Sequence, residues 1–106
     1  MAIRHRWTFA EDKLCCQRYV EAYVIQQQDL PLSEFIRGLS AELPQIKPSS
    51  LRMKAQNIKQ ILLVRHIPDT LSSAPSANYS RQNWDTMTCV LEEANLLPEH
   101  TAGKQR

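Results

Sequence analysis

The chain predicts an all-α fold, a three-helix, helix-turn-helix-like bundle followed by a fourth helix. Apolar residues recur three and four apart in four separate stretches, helix-capping residues stand where those stretches open, and no useful length alternates apolar with polar. With 106 residues the chain is long enough for one hydrophobic core and too short for a catalytic domain plus a separate regulator. The expected organisation is a single domain over residues 1–97 and a flexible tail over 98–106.

The first helix is expected over 8–27. Thr8-Phe9-Ala10-Glu11 places Thr three residues before Glu, the capping-box arrangement in which each side chain satisfies a backbone N–H of the first turn. On a helical projection Phe9, Cys16, Tyr19, Val20, Tyr23 and Val24 share one broad face, with Cys15 and Ala22 at its margin, and Lys13, Gln17, Arg18 and Glu21 lie mostly opposite. Asp29-Leu30-Pro31 breaks the pattern. A second helix over 32–43 follows, carried by Phe35, Ile36, Leu39 and Leu43. Gly38 inside it implies close packing against a neighbour or a bend. Pro44 and Pro48 are expected to enclose a loop outside both helices.

The third helix, 49–63, is the best patterned, with Ser49 or Ser50 as its cap and Leu51, Ala55, Ile58 and Leu62 as its stripe, Ile61 beside them. Arg52, Met53, Gln56, Lys59 and Gln60 lie opposite, with Asn57 at the edge. Residues 65–79, small and rich in Pro and Ser, read as a loop free to move. The fourth helix, 80–95, turns Trp84, Met87, Thr88 and Leu91 inward, with Cys89 and Val90 beside them, and Asp85, Glu92 and Glu93 outward. Trp7 and Trp84, each at the start of an amphipathic helix, read as core anchors rather than base-stacking platforms.

Composition narrows the class. A hydrophobic fraction of 42% and a charged fraction of 23% are those of a globular domain, neither disordered nor membrane-embedded. No apolar run approaches the roughly 18 residues of a membrane span, and no hydrophobic signal region follows Met1. Three cysteines, with Cys15 and Cys16 adjacent, suit neither a disulfide framework nor a zinc motif, so they read as reduced thiols, two of them small core residues. The expected location is the cytoplasm, on the nucleoid in a bacterium, or the nucleus in a eukaryote.

Net charge is only +2, but its distribution is uneven. Between Glu42 and Asp69 there is no acid, while Lys47, Arg52, Lys54, Lys59 and Arg65 are all basic. A merely solvated helix usually mixes signs to gain pairs four residues apart. In a helix-turn-helix unit the last helix lies in the major groove, where Arg pairs with guanine, Gln or Asn pairs with adenine, and Lys neutralises phosphate. The candidate DNA-contacting set is therefore Lys47, Ser49, Ser50, Arg52, Met53, Lys54, Gln56, Asn57, Lys59, Gln60 and Arg65. Lys54, at the edge of the apolar arc, is assigned to phosphate rather than to a base. Asn57 has two readings, a pair with adenine or a hydrogen bond to the backbone of the next loop. No nucleophile, base and oxyanion donors assemble from the sequence, and His5, His66 and His100 are scattered. Neither catalysis, a metal nor a cofactor is expected.

Two resemblances bear on this reading. Arg6-Trp7-Thr8-Phe9-Ala10-Glu11-Asp12, followed by two further helices, resembles the opening of a Myb or SANT-type repeat, whose third helix binds DNA; the tryptophans such repeats carry in their second and third helices are missing here. Ser50-Leu51-Arg52-Met53-Lys54-Ala55-Gln56-Asn57-Ile58 is similar to a segment in the N-terminal region of bacterial HNH restriction-type endonucleases, and Leu71, Ser80 and Trp84 fall in comparable places. The usual Leu-Asp-Pro is replaced by Ile67-Pro68-Asp69. The likeness spans about residues 7–93 and implies a duplex-DNA-binding accessory domain without the nuclease centre, a regulator or the targeting part of a defence or mobile-element system. The competing expectation is a protein-interaction module, an inhibitor or adaptor, using the Met53 and Gln60 face or the fourth helix. A second copy of the chain is a further expected partner; a membrane is not.

Overall fold

The structure is a computed structural model that describes residues 5–97; the expected tail, residues 98–106, lies outside the described residues. Four α-helices build it, α1 (Phe9–Tyr19), α2 (Leu32–Glu42), α3 (Pro48–Val64) and α4 (Arg81–Glu93), and the described residues contain no strand. None of these helices is long and apolar enough to cross a membrane.

α1 starts where the capping box predicts. The Glu11 N–H donates to Thr8 Oγ1 at 3.1 Å and the Thr8 N–H donates back to the Glu11 carboxylate at 3.0 Å. His5 and Gln45 also reach that carboxylate, each at 2.9 Å. The backbone bond from Thr8, reinforced by Gln45 and His5, lowers the Glu11 pKa to about 2. Phe9, expected on the core face, is 48% exposed because it occupies the first helical position, ahead of the turn where packing begins. α1 continues without interruption into a π-helical turn, Val20–Ile25, in which the Gln26 N–H bonds the Glu21 carbonyl at 2.9 Å.

α3 also begins earlier than its serines suggest. Lys47 is the N-cap residue and Pro48 the first helical residue, a favoured place for proline because the N–H it lacks would have no helical partner there. Ser80 caps α4 as expected, accepting from the Asn83 N–H at 3.0 Å. The π-helical turn, α3 and α4 close through left-handed residues that are not glycine, Gln27, His66 and Asn95. After the last two, Ile67 N–H bonds Leu62 O and Leu96 N–H bonds Leu91 O, the helix-closing pattern that satisfies terminal carbonyls.

α3 packs against α1, α2 and α4, and α1 also packs along α4. The stripe Leu51, Ala55, Ile58, Ile61 and Leu62 is fully covered, as are Met87, Val90 and Leu91 of α4. At the other end Tyr19, Tyr23 and Phe35 form an aromatic cluster with ring centroids 4.9 to 5.8 Å apart. Cys15 and Cys16 are core residues, and burial pushes both thiols up to about 12, which keeps them protonated and unreactive.

The loop after α3, expected to be free, is strapped down. Thr70 N–H bonds Tyr23 O at 3.0 Å, Thr70 Oγ1 bonds Gln28 O at 2.6 Å, Ser76 N–H bonds Gln56 O at 3.1 Å, and Leu71 is buried. Gly38 does not mark close packing, since a Cβ there would meet nothing within 4 Å among the described residues. Gly38→Ala should therefore raise stability by about 1 kcal/mol, seen in urea denaturation as a higher midpoint at unchanged slope. The folded chain binds the Glu11 proton more weakly than the unfolded chain does. The contribution of the cap is thus complete above about pH 4.5, the ordinary carboxyl value, and is lost as pH falls towards about 2. Unfolding midpoints followed from neutral pH into acid should show this decline, and Glu11→Gln should flatten it.

Candidate nucleic-acid interface

The acid-free stretch of sequence finds its acids elsewhere in the fold. Asp12 of α1 has no exposed surface. Its Oδ2 accepts from Lys54 Nζ at 3.3 Å and Gln82 Nε2 at 3.1 Å, and its Oδ1 from Asn83 Nδ2 at 2.9 Å and Thr86 Oγ1 at 3.3 Å. Lys54 is thus 5% exposed, with its ammonium 4.4 Å from the Trp7 ring centroid, rather than reaching towards a phosphate. Its place at the edge of the apolar arc reflects a buried partner.

Lys59 donates to Asp69 Oδ1 at 3.0 Å and to the Leu71 carbonyl at 2.7 Å, so the strapped loop neutralises it. Tyr19 donates its hydroxyl to the same Asp69, and burial together with that carboxylate pushes its pKa far up. Arg65 lies 3.9 Å from the Trp84 ring centroid and donates to Thr88 Oγ1, and burial lowers its pKa. Both tryptophans are half-buried and pack at the margin of the core, each under a cation from α3. Of the five cations singled out, Lys54 is buried and Lys59 and Arg65 are half-buried on internal partners, whereas Lys47 and Arg52 are exposed.

The rest of the candidate set divides by position along α3. Ser49, Arg52 and Met53 are exposed on the first two turns, with Ser50 half-buried. Gln56 and Gln60 are half-buried further on. Asn57 is 8% exposed, and its Oδ1 has no hydrogen-bond partner among the described residues. The bond to the following loop, one of its two readings, does not form.

Beside the start of α3 opens a groove of about 490 Å³. Ser49, Ser50, Met53, Lys54 and Asn57 of α3 line one side, His5 and Trp7 come from the segment before α1, and Asn78 and Ser80 from the approach to α4. No carboxylate lines it among the described residues. The N-terminal ends of α3 and α4, each the positive end of a helix dipole, therefore open into one space. In the first turn of α3 Pro48 has no N–H and those of Ser50 and Leu51 bond the Lys47 carbonyl at 3.0 and 3.1 Å, which leaves the Ser49 N–H for a ligand. Hydroxyls, carboxamides and a positive potential suit an anionic, hydrogen-bonding ligand.

Asp12, Asp69, Asn83 and Thr86 were missed as determinants of this surface. Asp12 entered the reading of the sequence only at the end of the Arg6–Asp12 segment that resembles a Myb or SANT opening, and a helical projection assigns polar residues to solvent by default. No family model, curated protein or solved structure matches the chain.

Lys54→Met should destabilise by about 3 kcal/mol or more, because it leaves a buried carboxylate without its cation. Arg52→Ala should change stability by less than about 0.5 kcal/mol. Urea denaturation of the two variants separates the cation that builds the fold from the one that remains on its surface.

Proposed function

We propose that the chain is a small duplex-DNA-binding module that approaches DNA with the N-terminal end of α3. The observation that carries this is the exposed, acid-free start of that helix, with Lys47, Ser49, Arg52 and Met53 on its surface, beside a groove that no carboxylate lines among the described residues. Helix-turn-helix units contact base edges with the N-terminal residues of the recognition helix. Arg52 supplies bidentate recognition of guanine, Met53 an apolar contact, Lys47 a phosphate contact, and the serine hydroxyls with the Ser49 N–H a second phosphate.

The resemblance of residues 6–12 to Myb and SANT openings, and of residues 50–58 to the N-terminal region of HNH restriction-type endonucleases, supports the same reading. The role that follows is a regulator or targeting subunit of a defence or mobile-element system. On this reading Lys54, Lys59 and Arg65 act as fold-building residues, and the contacts shrink to about two or three phosphates.

Fluorescence anisotropy with random duplex DNA should show the affinity falling about 10- to 40-fold between about 50 and 200 mM salt, from a slope near 0.9 per phosphate. Arg52→Glu and Lys47→Glu should each weaken binding while leaving the helical circular dichroism unchanged. Failure of the wild-type chain to bind at low salt, or full binding by the double variant, refutes the reading.

A further inference from the structure

The middle of α2 carries a residue that its own fold does not require. Gly38 has ordinary helical backbone and, among the described residues, no neighbour within 4 Å of where a Cβ would stand, so neither strain nor packing among them calls for glycine. The open space beside it is a cleft of about 180 Å³ between α2 and the π-helical turn, floored by Ala22, Leu30, Phe35 and Leu39. Its other wall includes Glu21 of the π-helical turn, an uncommon element that is frequent at functional sites. Two unusual local features thus border one cavity.

The size and charge of the cleft define what fits it. The cavity is smaller than the roughly 300 Å³ at which small-molecule sites begin, and it suits a single apolar anchor side chain. Its charged rim is acidic, with Glu21 on one wall and Glu34 and Glu42 on α2. Arg18, the one cation among the described lining residues, is held in a two-pronged pair by Glu42 with both bonds at 2.9 Å. Glu21 has only a 3.9 Å approach from Arg18, and Glu34 a 3.6 Å approach from Arg37, both between exposed groups that screen one another weakly. A carboxylate therefore stands on each side of an apolar hole, and the three carboxylates of the rim share two cations, Arg18 and Arg37, which leaves the rim net negative.

We propose that this cleft docks a protein partner through one apolar side chain flanked by Lys or Arg, and that Gly38 keeps the entrance open for it. The cleft lies apart from the groove at the start of α3, sharing no lining residue with it. The proposal does not depend on DNA binding.

Short random peptides displayed on phage and selected against the full chain should enrich sequences with an aliphatic or aromatic residue next to Lys or Arg. A synthetic peptide of the enriched sequence should bind the wild-type chain. Gly38→Phe, which sets a ring into the cleft, should weaken that binding at least about tenfold, the loss expected for a blocked anchor. The double change Glu21→Lys with Glu34→Lys should do the same by reversing the rim, and it decides the matter if Gly38→Phe fails to fold. Arg52→Glu should leave peptide binding unchanged. Failure to enrich any peptide family, enrichment of acidic peptides, or binding that survives the rim reversal overturns the proposal. Loss of duplex-DNA affinity in a folded Gly38→Phe chain would assign the cleft to nucleic acid and overturn it as well.

Discussion

A carboxylate with no exposed surface has to be satisfied from within the chain, and Asp12 sets that condition for the whole bundle. Its four donors come from Lys54 of α3 and from Gln82, Asn83 and Thr86 of α4. One side chain of α1 thereby fixes the rotation of two other helices about their axes. Apolar packing alone tolerates small rotations and slips; four directed hydrogen bonds to one carboxylate do not. The buried pair adds little net stability compared with an apolar core, but leaving either partner alone is costly, which selects the arrangement in which all are matched.

Once Lys54 faces α1, the stripe of α3 faces the core and Lys59, further along the helix, comes under the loop that follows. Asp69 pairs with Lys59 and also accepts from Tyr19, so the strap joins α3 to α1 as well. Arg65 ends the series on Trp84 of α4. The polar side of α3 is thus divided along its length, Gln56, Lys59 and Gln60 half-covered in its middle turns, its first turns open beside the groove and Leu63 and Val64 exposed at its end. The asymmetry arises from where the chain goes after the helix, a feature that no projection of the helix itself contains.

The helices were legible because their signals are local. Thr8 and Glu11 lie within one turn of each other, and the stripe from Leu51 to Leu62 repeats at a fixed interval. Ser80 announces α4 in the same way. The fate of the cations was not legible, since Asp12 and Lys54 are 42 residues apart and nothing in either neighbourhood marks them as partners. The absence of acids within α3 was read as a surface feature, when tertiary partners supplied the missing charge. Pro48 misled for a related reason: a proline that ends a helix and one that begins a helix look alike until the backbone direction is known. The small, polar residues of the strap conceal Leu71 and Thr70, which anchor it through burial and backbone carbonyls.

These internal pairings also change what kind of recognition the chain can support. Nonspecific affinity for nucleic acid scales with the number of phosphates neutralised, and a surface left with Lys47 and Arg52 at the start of α3 has little of it to offer. Groups aimed at the groove are of another sort: the hydroxyls of Ser49, Ser50 and Ser80 and the carboxamides of Asn57 and Asn78. Such groups discriminate by geometry, because an unmatched partner leaves a desolvated polar atom behind. Asn57, nearly buried and without a partner for its Oδ1, is the most exacting of them. On the proposed reading, then, weak electrostatic attraction leaves selectivity to carry a larger share of the binding free energy, and the fold achieves this by spending most of the cations of α3 on its own construction.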